Sequence, residues 1–226
     1  MHEPAAAVAV AVLALAVAAC GSRDHRAHTS RLVDGSVPPV PPGVLGSLGA
    51  DAVMSRVRFR RAALLDTRGR ACIASFRGEF AIANEALVVE RTGAIGASLT
   101  FLDARRRVVL GCDRASRRVA GAAWCARSVG RLVAGRLEDP RLDILCLGGH
   151  GEPIGFAWID PMPGTRWVVV GDGARSEVEP VAAGLPVRVA TREVDVATSS
   201  ATFAVTEYDA TGAELARYRL PVRVAG

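Results

Sequence analysis

The chain has 226 residues, half of them apolar but only 5% aromatic, and 28 basic residues stand against 23 acidic ones. That length suits one large domain or two small ones, with a core built from Val, Leu, Ala and Ile more than from rings; scarce rings also argue against a sugar-stacking cleft. Every basic residue is arginine, and the net charge of +5 hides an asymmetry: 18 arginines against 10 acids over residues 51–150, then 7 against 10 over residues 151–226.

Residues 5–19 are an unbroken run of small and aliphatic side chains. A membrane-spanning helix needs about 20 such residues, so the run has the length of a signal-peptide apolar segment. It closes on Val17-Ala18-Ala19-Cys20, followed by Gly21-Ser22. This resembles the lipobox of bacterial lipoproteins, and the arginine-only, Ala- and Val-rich composition resembles high-GC, actinobacterial coding. The resemblance implies that residues 1–19 are removed, that the Cys20 thiol takes a diacylglyceryl group, and that the protein is held at the extracytoplasmic face of a cell membrane. One feature departs from the pattern: Met1-His2-Glu3-Pro4 carries no positive charge. Two or three acyl chains, at about 0.8 kcal/mol per buried methylene, suffice for stable anchoring.

An exported chain meets anionic lipid or wall polymer in place of nucleic acid, so the Arg-rich half reads as an envelope-facing surface or simply as this genome's solubilising charge. Residues 20–48 read as a tether, with the polyproline II spacer Val37-Pro38-Pro39-Val40-Pro41-Pro42-Gly43. His25 and His28 lie within it and have no further metal ligands beside them.

Residues 49–150 form a first, Arg-rich β region and residues 151–226 a second. Val53, Met54 and Val57 have helical spacing, with Asp51 near the N-terminus of one short opening helix. Ala62–Leu65 and Ala71–Ser75 around Asp66-Thr67-Arg68-Gly69 read as a hairpin. Phe80–Ile82, Ala86–Glu90 and Gly130–Val133 are short strands, and Ser98–Leu102 with Val108–Leu110 form a hairpin around Asp103–Arg107. In the second region, strands Gly155–Ile159 and Arg166–Val170 flank a Pro-Gly loop, in a register that sets Trp158 opposite Trp167. Val187-Arg188-Val189 and Val194-Asp195-Val196 alternate. Ala201–Tyr208 and Ala213–Leu220 make a hairpin with Phe203, Val205, Ala216, Tyr218 and Leu220 on one face. The fold expected is mainly β, an antiparallel sandwich or two small sandwich-like units, with at most a short N-terminal helix.

Four cysteines follow Cys20. Export favours disulfides, with buried thiols as the competing reading. Of three pairings, chain proximity favours Cys112 with Cys125, leaving Cys72 with Cys146. Zinc is disfavoured: no C-x2-C spacing exists, and His150 is the one histidine after the tether. That histidine sits in Gly148-Gly149-His150-Gly151-Glu152, read as a turn; no nucleophile elbow, zinc helix or phosphate loop accompanies it. No catalytic residue, metal or cofactor is assigned. The function expected is a non-catalytic envelope lipoprotein whose β-module contacts a protein or an anionic wall polymer. An envelope hydrolase using His150, or a regulatory partner of a membrane signalling protein, is the alternative.

Overall fold

The computed structural model describes residues 39–49, 51–103, 107–115, 124–172, 175–182 and 185–224. The apolar run of residues 5–19, Cys20, His25, His28 and the expected tether up to Pro38 lie outside the described residues. Strands make up 53% of the described residues and helix 11%. The fold is mainly antiparallel β and sandwich-like, as the sequence predicts.

Six strands form the first sheet, in the order β2 (Arg56–Arg61), β3 (Leu87–Thr92), β4 (Gly96–Asp103), β5 (Val108–Ala115), β6 (Ala126–Val133) and β7 (Arg136–Leu137). A three-stranded sheet follows, with β9 (Pro153–Ile159) between β12 (Val187–Thr191) and β8 (Leu142–Leu147). The third sheet has the order β1 (Ala52–Met54), β11 (Arg175–Pro180), β10 (Trp167–Asp172), β13 (Ser200–Tyr208) and β14 (Glu214–Arg223). Two short helices are α1 (Pro42–Gly46) and α2 (Thr67–Phe76).

These elements stack in layers. On one face of the six-stranded sheet, α2 packs Cys72, Ile73 and Phe76 against Val88, Leu99, Phe101, Leu110 and Cys112. The other face meets the three-stranded sheet. There the rings of Phe156 and Trp158 lie directly on glycines: a Cβ on Gly96 would sit 2.6 Å from the Phe156 ring and one on Gly111 2.9 Å from the Trp158 ring. The opposite face of the three-stranded sheet, with Leu142, Ala157, Ile159, Val187 and Val189, closes on Val168, Val170, Phe203, Val205 and Val222 of the five-stranded sheet. The middle sheet is therefore covered on both sides.

The strands do not divide at residue 150. β8 pairs with β9 across the His150 turn, and β1 pairs in parallel with β11, Val53 opposite Glu177. The end of the expected tether is also part of the fold. Val40, Val44 and Leu48 cover Trp167, Val169, Val178 and Tyr208 on the outer face of the five-stranded sheet. Pro42–Gly46 is helical there, not polyproline II, because Pro at its first positions is preset for a helix and Val44 gains a fully buried site. Gly212, at φ +88° in the β13–β14 turn, lies against Pro41 and Gly43.

Four local expectations are corrected. Residues 67–76 are a helix, not half of a hairpin: Asp66 Oδ1 accepts a hydrogen bond from Gly69 N at 2.8 Å, so the Asp-Thr-Arg-Gly sequence is an N-cap. Gly69, Cys72, Ile73 and Phe76 then form its buried stripe. The opening helix is absent from residues 51–61, where Val57 and Phe59 point inward and Arg56 and Arg58 outward in β2. Trp158 and Trp167 are not partners: Trp158 pairs with Arg188, and Trp167 with Pro180 and Tyr208. Their strands belong to different sheets, since the Pro-Gly loop crosses the sandwich in place of closing a hairpin. The disulfides are Cys72–Cys112 and Cys125–Cys146, not Cys112–Cys125 and Cys72–Cys146. Cys112 points at α2, which brings Cys72 onto it, whereas Cys125 precedes β6 and reaches Cys146 in β8.

The C-terminal hairpin has the expected faces. Phe203 faces Leu220 and Val205 faces Tyr218, with Ala216 on the same face. The β4–β5 hairpin is likewise present, with Leu102 opposite Val109; its tip, residues 104–106, lies outside the described residues.

Candidate functional site

β2 reads Arg56-Val57-Arg58-Phe59-Arg60, and a strand's two-residue period separates it into an apolar and a basic face. Val57 and Phe59 enter the core with Val89 and Leu185. Arg56, Arg58 and Arg60 form a row on the α2 side of the sheet. The pairing carries this face across to Glu90 and Thr92 of β3, Leu99 of β4 and Arg114 of β5, since Arg58 opposes Glu90, Glu90 opposes Leu99 and Ala97 opposes Arg114.

Helix α2 covers only part of this face. Beyond its N-terminus a groove remains, with one cavity of about 120 Å³ lined by Arg58, Arg60, Leu65, Asp66, Arg68 and Gly69 together with Glu90, Leu99, Arg114 and Trp124. A second cavity of about 140 Å³ continues it along Arg56, Arg58, Glu90 and Thr92. Leu65 and Leu99 are buried and supply the floor. Trp124 forms a wall: its indole N–H donates to the Arg68 carbonyl at 2.8 Å, and the Arg114 guanidinium lies 5.8 Å from its ring centre.

Both disulfides hold these walls. Cys72–Cys112 fastens α2 to β5 two residues from Arg114, and Cys125–Cys146 fastens the residue after Trp124. In the chain-entropy account, loops of 40 and 21 residues correspond to about 4 and about 3 kcal/mol.

The groove is cationic. Five arginines face two carboxylates. Of those carboxylates, Asp66 caps α2 and Glu90 pairs with Arg60 at 3.4 Å. Among the described residues, no ion pair engages Arg56, Arg58, Arg68 or Arg114. Such a groove can hold oxyanions, because each planar guanidinium offers forked donors to phosphate or carboxylate. The sequence signal for it is the alternation in β2, which the helical spacing of Val53, Met54 and Val57 masks; Arg114, Trp124 and Arg68 join only through the fold.

Other polar groups are enclosed between layers. Arg188 of β12 lies fully buried, 2.7 Å from Asp113 of β5, and also pairs with Asp143 and Ser128. Its guanidinium stacks 4.7 Å from the Trp158 ring centre. Burial alone would lower its pKa; Asp113 and Asp143 outweigh that and hold it above the ordinary value. Arg91 of β3 pairs with Glu179 of β11 at 2.6 Å, both buried, and Glu179 also accepts from Ser55. Glu207 accepts from Met162 N, Thr165 Oγ1 and Tyr218 Oη, fixing the β9–β10 loop. These clusters join sheets and loops inside the protein.

His150 is exposed in the turn between β8 and β9, where its backbone N–H donates to Glu152 Oε2 at 2.9 Å. The turn expected from sequence is present. Among the described residues no cluster of three or more His, Cys, Asp or Glu could hold a metal ion. No protein-family model matches the chain, and no curated protein or solved structure is significantly similar to it.

Proposed function

We propose that this chain is a membrane-anchored envelope lipoprotein, tied by acyl groups on Cys20 to the extracytoplasmic face, whose β-module binds a protein or wall component without chemical change to it. The observation that carries the reading is that all four cysteines after Cys20 are joined in two disulfides within the folded module. Structural disulfides persist in oxidising compartments and are rare in the cytosol. The lipobox-like Val17–Cys20 would deliver the chain to such a compartment and retain it there. The binding role is supported by an open cationic groove on a disulfide-braced face, while the buried charges are consumed in joining layers.

The experiment is Cys20→Ala in cells, followed by fractionation and labelling with a fatty-acid analogue. Loss of the label and release from membranes is the expected result; a variant still fully membrane-bound sinks the anchor. A hydrolytic activity abolished by His150→Ala would replace the non-catalytic reading.

A further inference from the structure

We infer that the groove of Arg56, Arg58, Arg60 and Arg114 beside Trp124 is a binding site for a linear polyanion, a polyol or sugar chain with repeated phosphate or carboxylate groups. The inference rests on the envelope reading only for the source of this ligand; the site itself rests on geometry.

Three observations converge on a chain-like ligand. First, the cations form a row. Alternate residues of β2 stand about 7 Å apart along the strand, and Arg114 extends the row across three strands at the Thr92 end. A single small anion would engage one or two of them; a chain with repeating charges engages all. Second, the groove is elongated, because its two cavities share Arg58 and Glu90. Third, among the described residues its excess charge has no internal answer. Asp66 and Glu90 are committed, which leaves three positive charges facing solvent on one side of a sheet. Exposed like charges so placed repel one another, and a bound polyanion removes that repulsion while releasing the counterions condensed on the chain.

The shape separates a threaded polymer from a lipid surface. Arg60 and Arg114 are half-buried around a cavity floored by Leu65 and Leu99, between the α2 N-terminus and the Trp124 wall, while Arg56 and Arg58 stand exposed along its extension. A planar bilayer meets protruding charges, whereas a flexible chain can enter a recess. Trp124 adds a partly exposed ring on which the carbon backbone of such a chain can lie.

The test uses the purified full chain and its intrinsic fluorescence. Trp158 and Trp167 are each 2% exposed, so a change on titration reports Trp124. The probes are inorganic phosphate, polyphosphate, polygalacturonate and phosphatidylcholine vesicles containing phosphatidylglycerol. Polyphosphate or polygalacturonate should bind at least about tenfold more tightly than monomeric phosphate at equal anion concentration. The tighter of the two identifies the phosphate-bearing or the carboxylate-bearing source. Arg58→Gln and Arg114→Gln should each weaken binding about tenfold and lower the log–log salt slope by about one. Arg217→Gln, on exposed β14, should change neither. Polymer affinity untouched by the groove variants overturns the site, as does binding to vesicles alone or to none of the probes. Membrane release by Cys20→Ala is read separately, so failure of the anchor and failure of the groove are distinguishable.

Discussion

Arg188 and Asp113 meet at 2.7 Å between two sheets, and neither side chain is accessible to water. The pair ties β12 of the middle sheet to β5 of the six-stranded sheet, with Trp158 under the guanidinium. Removing one partner strands a charge inside the protein. Arg188→Ala should therefore cost about 3–5 kcal/mol, whereas Arg188→Met combined with Asp113→Leu should cost less than the two single changes added together. Urea unfolding of the four proteins of this cycle measures the coupling. Additive losses would show that the pair contributes nothing to holding the sheets together.

The disulfide pattern is open to direct chemistry. Arginines lie between Cys112 and Cys125, so tryptic digestion without reduction should yield one linked peptide for Cys72–Cys112 and a separate one for Cys125–Cys146. Replacing both cysteines by serine should destabilise by about 4 kcal/mol for the first bridge and about 3 kcal/mol for the second. A peptide containing Cys112 linked to Cys125 would contradict the placement of α2 on the sheet.

Val44 binds the segment before β1 to the back of the five-stranded sheet. Its side chain is fully buried with Trp167 and Tyr208, and Ser47 Oγ lies 2.6 Å from Tyr208 Oη. Val44→Ala should cost about 1–2 kcal/mol and should speed limited proteolysis within residues 39–48. Unchanged cleavage would mean that the segment is free of the sheet in solution.

Tyr218 gives the chain an alkaline limit. Burial and the hydrogen bond to Glu207, 2.8 Å long, push its phenol above the ordinary value. The folded chain thus keeps this proton to higher pH than the unfolded chain. The resulting stability is fully present below pH about 10 and is lost as pH rises through the raised folded value. Urea midpoints taken between pH about 8 and about 11 should fall less steeply in Tyr218→Phe than in the wild type; equal slopes would remove Tyr218 from the account.

Much of the fold was legible where local signals had no rival. The Asp209–Gly212 turn between alternating strands predicts β13 and β14 and which residues share a face, because one face of that hairpin is buried and the other wet. Asp66 shows the opposite case. An aspartate before Thr-Arg-Gly serves a turn or a helix cap equally well, and only the stripe Gly69, Cys72, Ile73 and Phe76 distinguishes the two. The site was less legible. Three of its arginines alternate in plain view in β2, but Arg114 and Trp124 reach them through strand pairing and two disulfides that spacing along the chain misassigned.

The sequence alone determined that this is a β-rich chain with an apolar run that ends at Cys20, an arginine-heavy first half and an even set of later cysteines. Composition and period settle such properties residue by residue. What only the tertiary structure decided is which faces are covered. Val187-Arg188-Val189 alternates like a half-wet strand, yet its sheet has a neighbour on both sides and Arg188 is buried against Asp113. Arg56-Val57-Arg58 alternates in the same way, but α2 stops short of it, and its arginines remain open to solvent. Two-residue period says which side chains share a face; only the stacking of layers says whether that face meets protein or water.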